Sequence, residues 1–256
     1  MKEPLITSQK EGLKYFFLPA WEKTGLVKHG FSARKNNNER PDVDREERAR
    51  FLKIWAKNEE ELYSGEQVHG TAVCTVDRAA FRRREREFPG VDALVTAERG
   101  AVLGAFSADC LLALFWDAAV PAVGIAHAGW RGSCMGILSR VIEVFRYSFN
   151  TKPQDLQVLM GPSIGPCCYE VGDEVLHLCS GSPWKKEVVF YPGFREGHSF
   201  LDLRKTNSNI LSGAGVNREN IHVSYYCTRC NQHLFYSYRG AGGRHTGSLM
   251  GIIFLP

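Results

Sequence analysis

The densest apolar stretch of the chain runs from 101 to 128. Within it, 101–106, 111–116 and 121–127 are each almost unbroken in hydrophobic residues. Asp109, Asp117 and Pro121 interrupt the stretch. A membrane span needs about 20 mainly apolar residues with few or no charges, so these segments read as consecutive buried strands. Near-continuous rather than alternating hydrophobicity predicts strands covered on both faces, as in a layered α/β protein. Further strands are predicted at 13–18, 26–32, 71–77, 92–96 and 156–161, and in the tail at 221–226, 233–238 and 248–254. Helices are predicted over 44–57, with Ala49, Leu52, Ile54 and Trp55 available for its inner side, over 132–148, near 170–179 and over 202–215. Segments 33–44 and 180–198 read as loops, and 78–90 as a charged excursion closed by Pro89-Gly90. Composition never shifts sharply, so residues 1–256 read as a single domain.

Charge narrows the partners. The net charge of +4 and the pI near 8.6 suit an anionic substrate but are too weak to argue for nucleic acid. The one dense basic run, 82–86, is interleaved with acidic residues and reads as a solvated face. The stretch Met1–Lys10 has no apolar core of signal-peptide length, and no membrane partner is expected. Eight cysteines without such a signal predict reduced thiols in a cytoplasmic protein.

Three residues then stand out by their surroundings. His69 lies in Gln-Val-His-Gly, Cys110 in Ser-Ala-Asp-Cys, and His127 in Ala-His-Ala-Gly-Trp-Arg-Gly. Two imidazoles and a thiolate make three ligands for zinc, which leaves the fourth tetrahedral position open, the catalytic rather than the structural pattern. His127 is expected at the carboxyl end of a buried strand, just before a helix start whose free N–H groups can hold an anion. Arg131 adds a fork of donors suited to phosphate. The alternative for His127 is a hydrogen-bonded core histidine, and for Cys110 a small buried hydrophobe. Asp109 could orient a ligand imidazole, act as general acid or base, or cap a turn. Ser32 and Arg34 in Gly-Phe-Ser-Ala-Arg, and Arg239 and Arg244 in a glycine-rich loop, are candidate phosphate contacts or plain surface turns. Cys227-x-x-Cys230 has the spacing of a zinc knuckle or redox dithiol. With no second C-x-x-C, it reads as two free thiols or as a neighbour of the active site.

Taken in order, these contexts resemble the YfiH family, also named for laccase domains and polyphenol oxidases. The resemblance covers nearly the whole chain. It runs through 30–34, 67–70, Val-Asp-Ala-Leu-Val-Thr at 91–96, 107–110, 126–132, Gly-Pro-Ser-Ile-Gly-Pro-Cys-Cys-Tyr-Glu-Val-Gly at 161–172, Cys227-Thr228 and the Ser-Tyr-Arg…Gly-Arg tail. It implies an α/β fold of layered mixed sheets flanked by helices, with zinc on His69, Cys110 and His127. It also implies phosphorolysis of adenosine, inosine and S-methyl-5′-thioadenosine by inorganic phosphate, and deamination of adenosine. Asp109 is the expected proton shuttle, and Ser32, Arg34, Arg131 and Arg244 the expected substrate or phosphate contacts. The family pattern departs at Lys35–Pro41, shorter here than a usual Gly-Gly-Val-Ser loop. Two rivals follow from the same residues. One is a copper-dependent polyphenol oxidase, since a His₂Cys set also suits copper. Laccase chemistry needs a multi-histidine cluster as well, and the eight histidines here are scattered without a His-x-His pair. The other is a non-enzymatic, zinc-stabilised binding module built on Cys227 and Cys230.

Overall fold

The structure is a computed structural model that describes residues 3–10, 12–34 and 44–256, apart from the side chains of Asp44 and Arg45. The departing segment 35–41 lies outside the described residues. One sheet has seven strands in the order β1 (Ile6–Lys10), β2 (Leu13–Phe17), β3 (Lys28–Ser32), β16 (Leu249–Phe254), β8 (Val102–Ser107), β4 (Leu62–Gly65) and β6 (Glu87–Phe88). A second has six: β15 (Ile221–Val223), β11 (Gln157–Met160), β9 (Leu111–Asp117), β10 (Ala122–Ala128), β7 (Ala93–Thr96) and β5 (Val73–Thr75). A small third sheet orders β12 (Glu170–Gly172), β14 (His198–Leu201) and β13 (Phe190–Pro192). The helices are α1 (Pro19–Glu22), α2 (Asp44–Lys53), α3 (Arg78–Arg83), α4 (Trp130–Cys134), α5 (Ile137–Phe149), α6 (Asp173–Ser180) and α7 (Leu203–Gly213).

Period-two alternation within the apolar strands explains the layering. Along β9, Leu112, Leu114 and Trp116 join a core shared with Phe31, Leu103 and Ile253 of the other sheet. The intervening Leu111, Ala113 and Phe115 face Val141, Phe145 and Leu211 of α5 and α7. On β16, Leu249 and Ile253 point between the sheets, while Met250, Ile252 and Phe254 pack on Phe51 and Leu52 of α2. The order of layers is therefore helix, sheet, sheet, helix, and every residue of β9, β10 and β16 is buried. Burying a Leu, Ile or Phe contributes about 1.5–3 kcal/mol. A one-residue slip would exchange the two faces of β9, so register is firmly set. It pairs His127 with Leu112 and Ala128 with Leu111, which brings Cys110 beside the end of β10.

Several expectations change. The predicted strand 233–238 is a run of turns: the N–H groups of Leu234 and Phe235 both donate to the Asn231 carbonyl. Its apolar signal comes from Phe235, which plugs the core between the sheets. The helix predicted over 132–148 starts earlier, at Trp130, and breaks at Gly136. Gly136 has φ 81°, and a Cβ there would lie 2.2 Å from Trp184 Nε1, so no other residue fits the break. The excursion 78–90 contains α3, capped by Asp77, and β6; Arg82, Arg83 and Arg84 are exposed as expected. The polar strand β1 carries no apolar periodicity and forms through its hairpin with β2. The cysteines are not all reduced: Cys134 and Cys179 join α4 to α6 by a disulfide, their Cα atoms 5.2 Å apart where the helices pack. Six cysteines are free. No helix among the described residues is long and apolar enough to cross a membrane.

Candidate active site

His69, Cys110 and His127 meet at one end of the sheet sandwich. His127 is the penultimate residue of β10, on the face that looks between the sheets. Cys110 ends the turn from β8 to β9, where the Ser107 hydroxyl donates to the Cys110 carbonyl at 2.6 Å. His69 sits in the loop after β4. Gln67 fixes that loop to β8: its amide donates to the Phe106 carbonyl at 2.6 Å and accepts the Phe106 N–H at 2.8 Å. The site residues hold unusual backbone, with φ of 55° at Gln67, 62° at His69 and 98° at Asp109. Such left-handed conformations in non-glycine residues gather where surrounding bonds over-determine them, commonly at functional sites.

The three donor side chains offer one ligand atom each, all within 4.8 Å of one another. The space between them is kept by Gly129, the residue before α4. A Cβ there would lie 2.9 Å from His69 Cδ2 and 3.2 Å from Cys110 Sγ. The donor chemistry and the cradle fit a zinc-sized cation with an open fourth position. Asp92 at the head of β7 orders this set. Its buried carboxylate accepts the His127 Nδ1–H at 2.8 Å, the His69 N–H at 3.0 Å and the Gly70 N–H at 2.7 Å. The bond to Nδ1 leaves Nε2 of His127 as the ring nitrogen available to a ligand. Burial would push the Asp92 carboxyl up, but the His127 bond and the two N–H donors outweigh it and hold it low. Burial likewise raises the Cys110 thiol, yet His127 and His69 beside it bring it down to about 7. Burial lowers His127, and the bonds to Asp92 and Cys110 carry it up to about 9. The site thus stabilises a thiolate, the form that binds metal.

The triad opens on a cavity of about 1000 Å³, large enough for a nucleoside and an anion. Arg131 lines it, its guanidinium stacked 4.2 Å from the Trp130 ring. Asp109 lines it too, with Oδ1 accepting from the Thr228 hydroxyl at 2.5 Å and Oδ2 from the Arg239 N–H at 2.7 Å. The lining does not include Ser32, Arg34 or Arg244. Ser32 Oγ accepts the Met250 N–H, Arg34 donates to the Gln232 carbonyl and stacks on Tyr236, and Arg244 donates to the Ala241 carbonyl. The cavity wall does hold Arg239, the other arginine of the glycine-rich loop, together with Tyr169, Tyr238 and His245. Asp92 lies in the 91–96 motif, but a strand-leading Asp has no local signature that would give it a role. Its position before the buried Ala-Leu-Val-Thr run was the available clue, since a carboxylate there needs partners.

The chain is similar to known proteins over most of its length. Residues 28–256 match the family model described as multi-copper polyphenol oxidoreductase laccase. A purine nucleoside phosphorylase, YlmD, of Geobacillus stearothermophilus is 36% identical over 199 residues, covering 73% of this chain and 70% of its own. An adenosine deaminase, RL5, from an unknown prokaryotic organism is 35% identical over 188 residues, covering 72% and 71%. The crystal structure of the Geobacillus YlmD superposes with a TM-score of 0.84 at 29% identity, over 98% of this chain and 99% of that one. That of Bacillus licheniformis YfiH gives 0.83 at 27% identity, over 94% and 96%. With its layered mixed sheets, its His–Cys–His cradle and a family match over most of its length, the chain belongs to the laccase-like YfiH family.

Proposed function

We propose that this chain is a zinc-dependent purine nucleoside enzyme. It cleaves adenosine, inosine and S-methyl-5′-thioadenosine with inorganic phosphate, and it deaminates adenosine. The observation that carries this reading is the open His69–Cys110–His127 cradle beside Arg131 in one cavity of nucleoside size. The names of the relatives, a purine nucleoside phosphorylase and an adenosine deaminase, support the substrate class.

His69, Cys110 and His127 would hold the metal, which when bound supplies Lewis acidity and a water acidic near neutral pH. Asp92 holds His127 in the orientation that presents Nε2. Arg131 offers the paired N–H donors of its guanidinium to a phosphate dianion. For phosphorolysis it holds the phosphate whose oxygen attacks the ribose C1′ as the purine leaves. Tyr169 and Tyr238 give the cavity aromatic wall against which a purine ring can lie. Asp109 exchanges the proton that accompanies loss or hydration of the base. Thr228 and the Arg239 amide fix its carboxylate, and each oxygen keeps a second lone pair.

Zinc-loaded protein is incubated with adenosine, with and without phosphate. Adenine and ribose 1-phosphate are expected only with phosphate, and inosine in both. If adenine, hypoxanthine and inosine are all absent, the reading fails. The oxidase alternative rests on the family model's description and on the His₂Cys donor set. Oxygen uptake on a phenol by copper-loaded protein, with no turnover of nucleosides, would put that alternative first.

A further inference from the structure

A second cluster of soft ligands lies outside the triad. Cys167 and Cys168 follow Gly165-Pro166, and Cys227 and Cys230 lie some 60 residues later in the chain. An isolated bridge between Ser163 and Cys227 draws the two segments together, and the Thr228 N–H donates to the Ser163 carbonyl at 3.1 Å. All four sulfurs then fall within 4.8 Å of one another. Cys230 Sγ is 3.4 Å from Cys168 Sγ and 3.7 Å from Cys167 Sγ.

Those separations discriminate between two fates for the thiols. A disulfide would bring two sulfurs to about 2.05 Å. A tetrahedral zinc with Zn–S near 2.3 Å places its sulfurs about 3.8 Å apart. The chain does form a disulfide elsewhere, between Cys134 and Cys179, yet these four remain free thiols, with Cys230 Sγ close to the tetrahedral spacing from two of the others and all four within 4.8 Å. The Cys-Thr-Arg-Cys turn supplies what a buried thiolate needs: the Cys230 N–H points back to Cys227 Sγ, and the Gly165 N–H donates to the same sulfur at 3.3 Å. N–H donors of this kind stabilise metal-bound sulfur from outside the ligand set. Gly165 packs closely on the cluster, since a Cβ there would sit 3.3 Å from Cys167 Sγ.

We propose that Cys167, Cys168, Cys227 and Cys230 bind a second zinc ion in a closed, four-thiolate structural site. The ion fastens the segment 163–170 to the segment 224–239. Those two segments grip Asp109 from three sides: the Ile164 N–H donates to its carbonyl at 2.9 Å, and Thr228 and the Arg239 N–H hold its carboxylate. They also supply Tyr169, Tyr238 and Arg239 to the cavity wall. The second metal is thus a staple behind the active site. Cys227 is buried, while Cys167 and Cys230 are exposed, so a chelator can reach the ion.

Metal analysis of protein purified under reductant tests this directly. Two zinc ions per chain are expected in the wild type. One is expected in Cys230→Ser and one in His127→Ala, each from a different site. Cobalt(II) added alone to metal-free protein reports the ligands by colour. His127→Ala should keep the intense thiolate-to-cobalt charge-transfer bands of a four-sulfur site, and Cys167→Ser or Cys230→Ser should lose them. A single zinc that disappears in His127→Ala overturns the proposal. So does a disulfide among the four cysteines, found by peptide mapping of freshly reduced and repurified wild type. Neither of these last results depends on whether a cysteine variant folds.

Discussion

Replacing Asp92 with Asn keeps the shape of the side chain and removes its charge, which makes it the sharpest probe of the cradle. The carboxylate serves three donors, two on Oδ1 and one on Oδ2. An amide has one acceptor oxygen. The better rotamer leaves that oxygen facing His69 N–H and His127 Nδ1–H and turns the NH₂ toward the Gly70 N–H. One buried backbone donor is then unsatisfied, at about 1–3 kcal/mol of folding stability. His127 also loses the charged partner that fixes its tautomer. Loss of such a partner costs roughly 10–100-fold in metal affinity, or about 1.4–2.7 kcal/mol. Competition against a chromophoric chelator measures the zinc affinity, and urea unfolding of the metal-free proteins measures the stability. If Asp92→Asn binds zinc within about twofold of the wild type, the carboxylate does not orient the ligand and the reasoning is refuted.

Gly129→Ala tests the space itself: φ of −66° suits alanine, but the Cβ meets His69 and Cys110, so metal content should fall by about tenfold or more with circular dichroism unchanged. Retained zinc in that variant would show that the cradle can move aside. Arg131→Ala should raise the KM for phosphate roughly 10–100-fold, the worth of hydrogen bonds to a charged group, while deamination without phosphate keeps its rate; equal losses in both reactions would remove Arg131 from the phosphate site. His29 gives a pH prediction independent of the metal. Burial pushes it down to about 3, and its Nε2 accepts the Leu18 N–H at 3.0 Å. The unfolded chain takes up that proton near pH 6.5, so the contribution is whole above that pH and is lost as the pH falls toward 3. The slope is about 1.4 kcal/mol per pH unit, or roughly 2 kcal/mol between pH 6.5 and 5. Urea midpoints at several pH values should fall less steeply in His29→Gln; parallel slopes in the two proteins would rule the residue out.

The central strands and the three residues of the candidate metal cradle were legible because each carries its own local signal. The runs around Leu111–Trp116 and Ala122–Ala128 are apolar on both faces, and that property is set by composition alone. His69, Cys110 and His127 sit among glycines and small residues that only a tight site needs. What was not legible depends on contacts between distant segments. Asp92 acts across the sheet, and nothing in its own neighbourhood says which donors it will meet. Arg34 belongs to a motif as distinctive as any, yet the fold turns it to the Gln232 carbonyl and the Tyr236 ring. Phe235 mimics a strand residue because burial, rather than pairing, selects its side chain. The cysteine pairs are separated by the whole of α6, the small sheet and α7, so their convergence is a property of topology.

The antiparallel hairpin of β9 and β10 has a bearing on how this protein can change over time. Cys110 and His127 lie at the open end of that hairpin, and the turn at 118–121 lies at the other. Ladder pairing from Ala122–Asp117 to Ala128–Leu111 sets the distance between these two residues, whatever the turn does. Lengthening or replacing residues 118–121 should leave metal binding untouched, which makes the turn a natural point for insertions or fused tags. A single residue deleted inside β10 would instead swing His127 toward α5, and one deleted inside β9 would carry Cys110 out of register with it; either should abolish the site in one step. The hairpin thus divides its own sequence into a part free to vary and a part whose length cannot change.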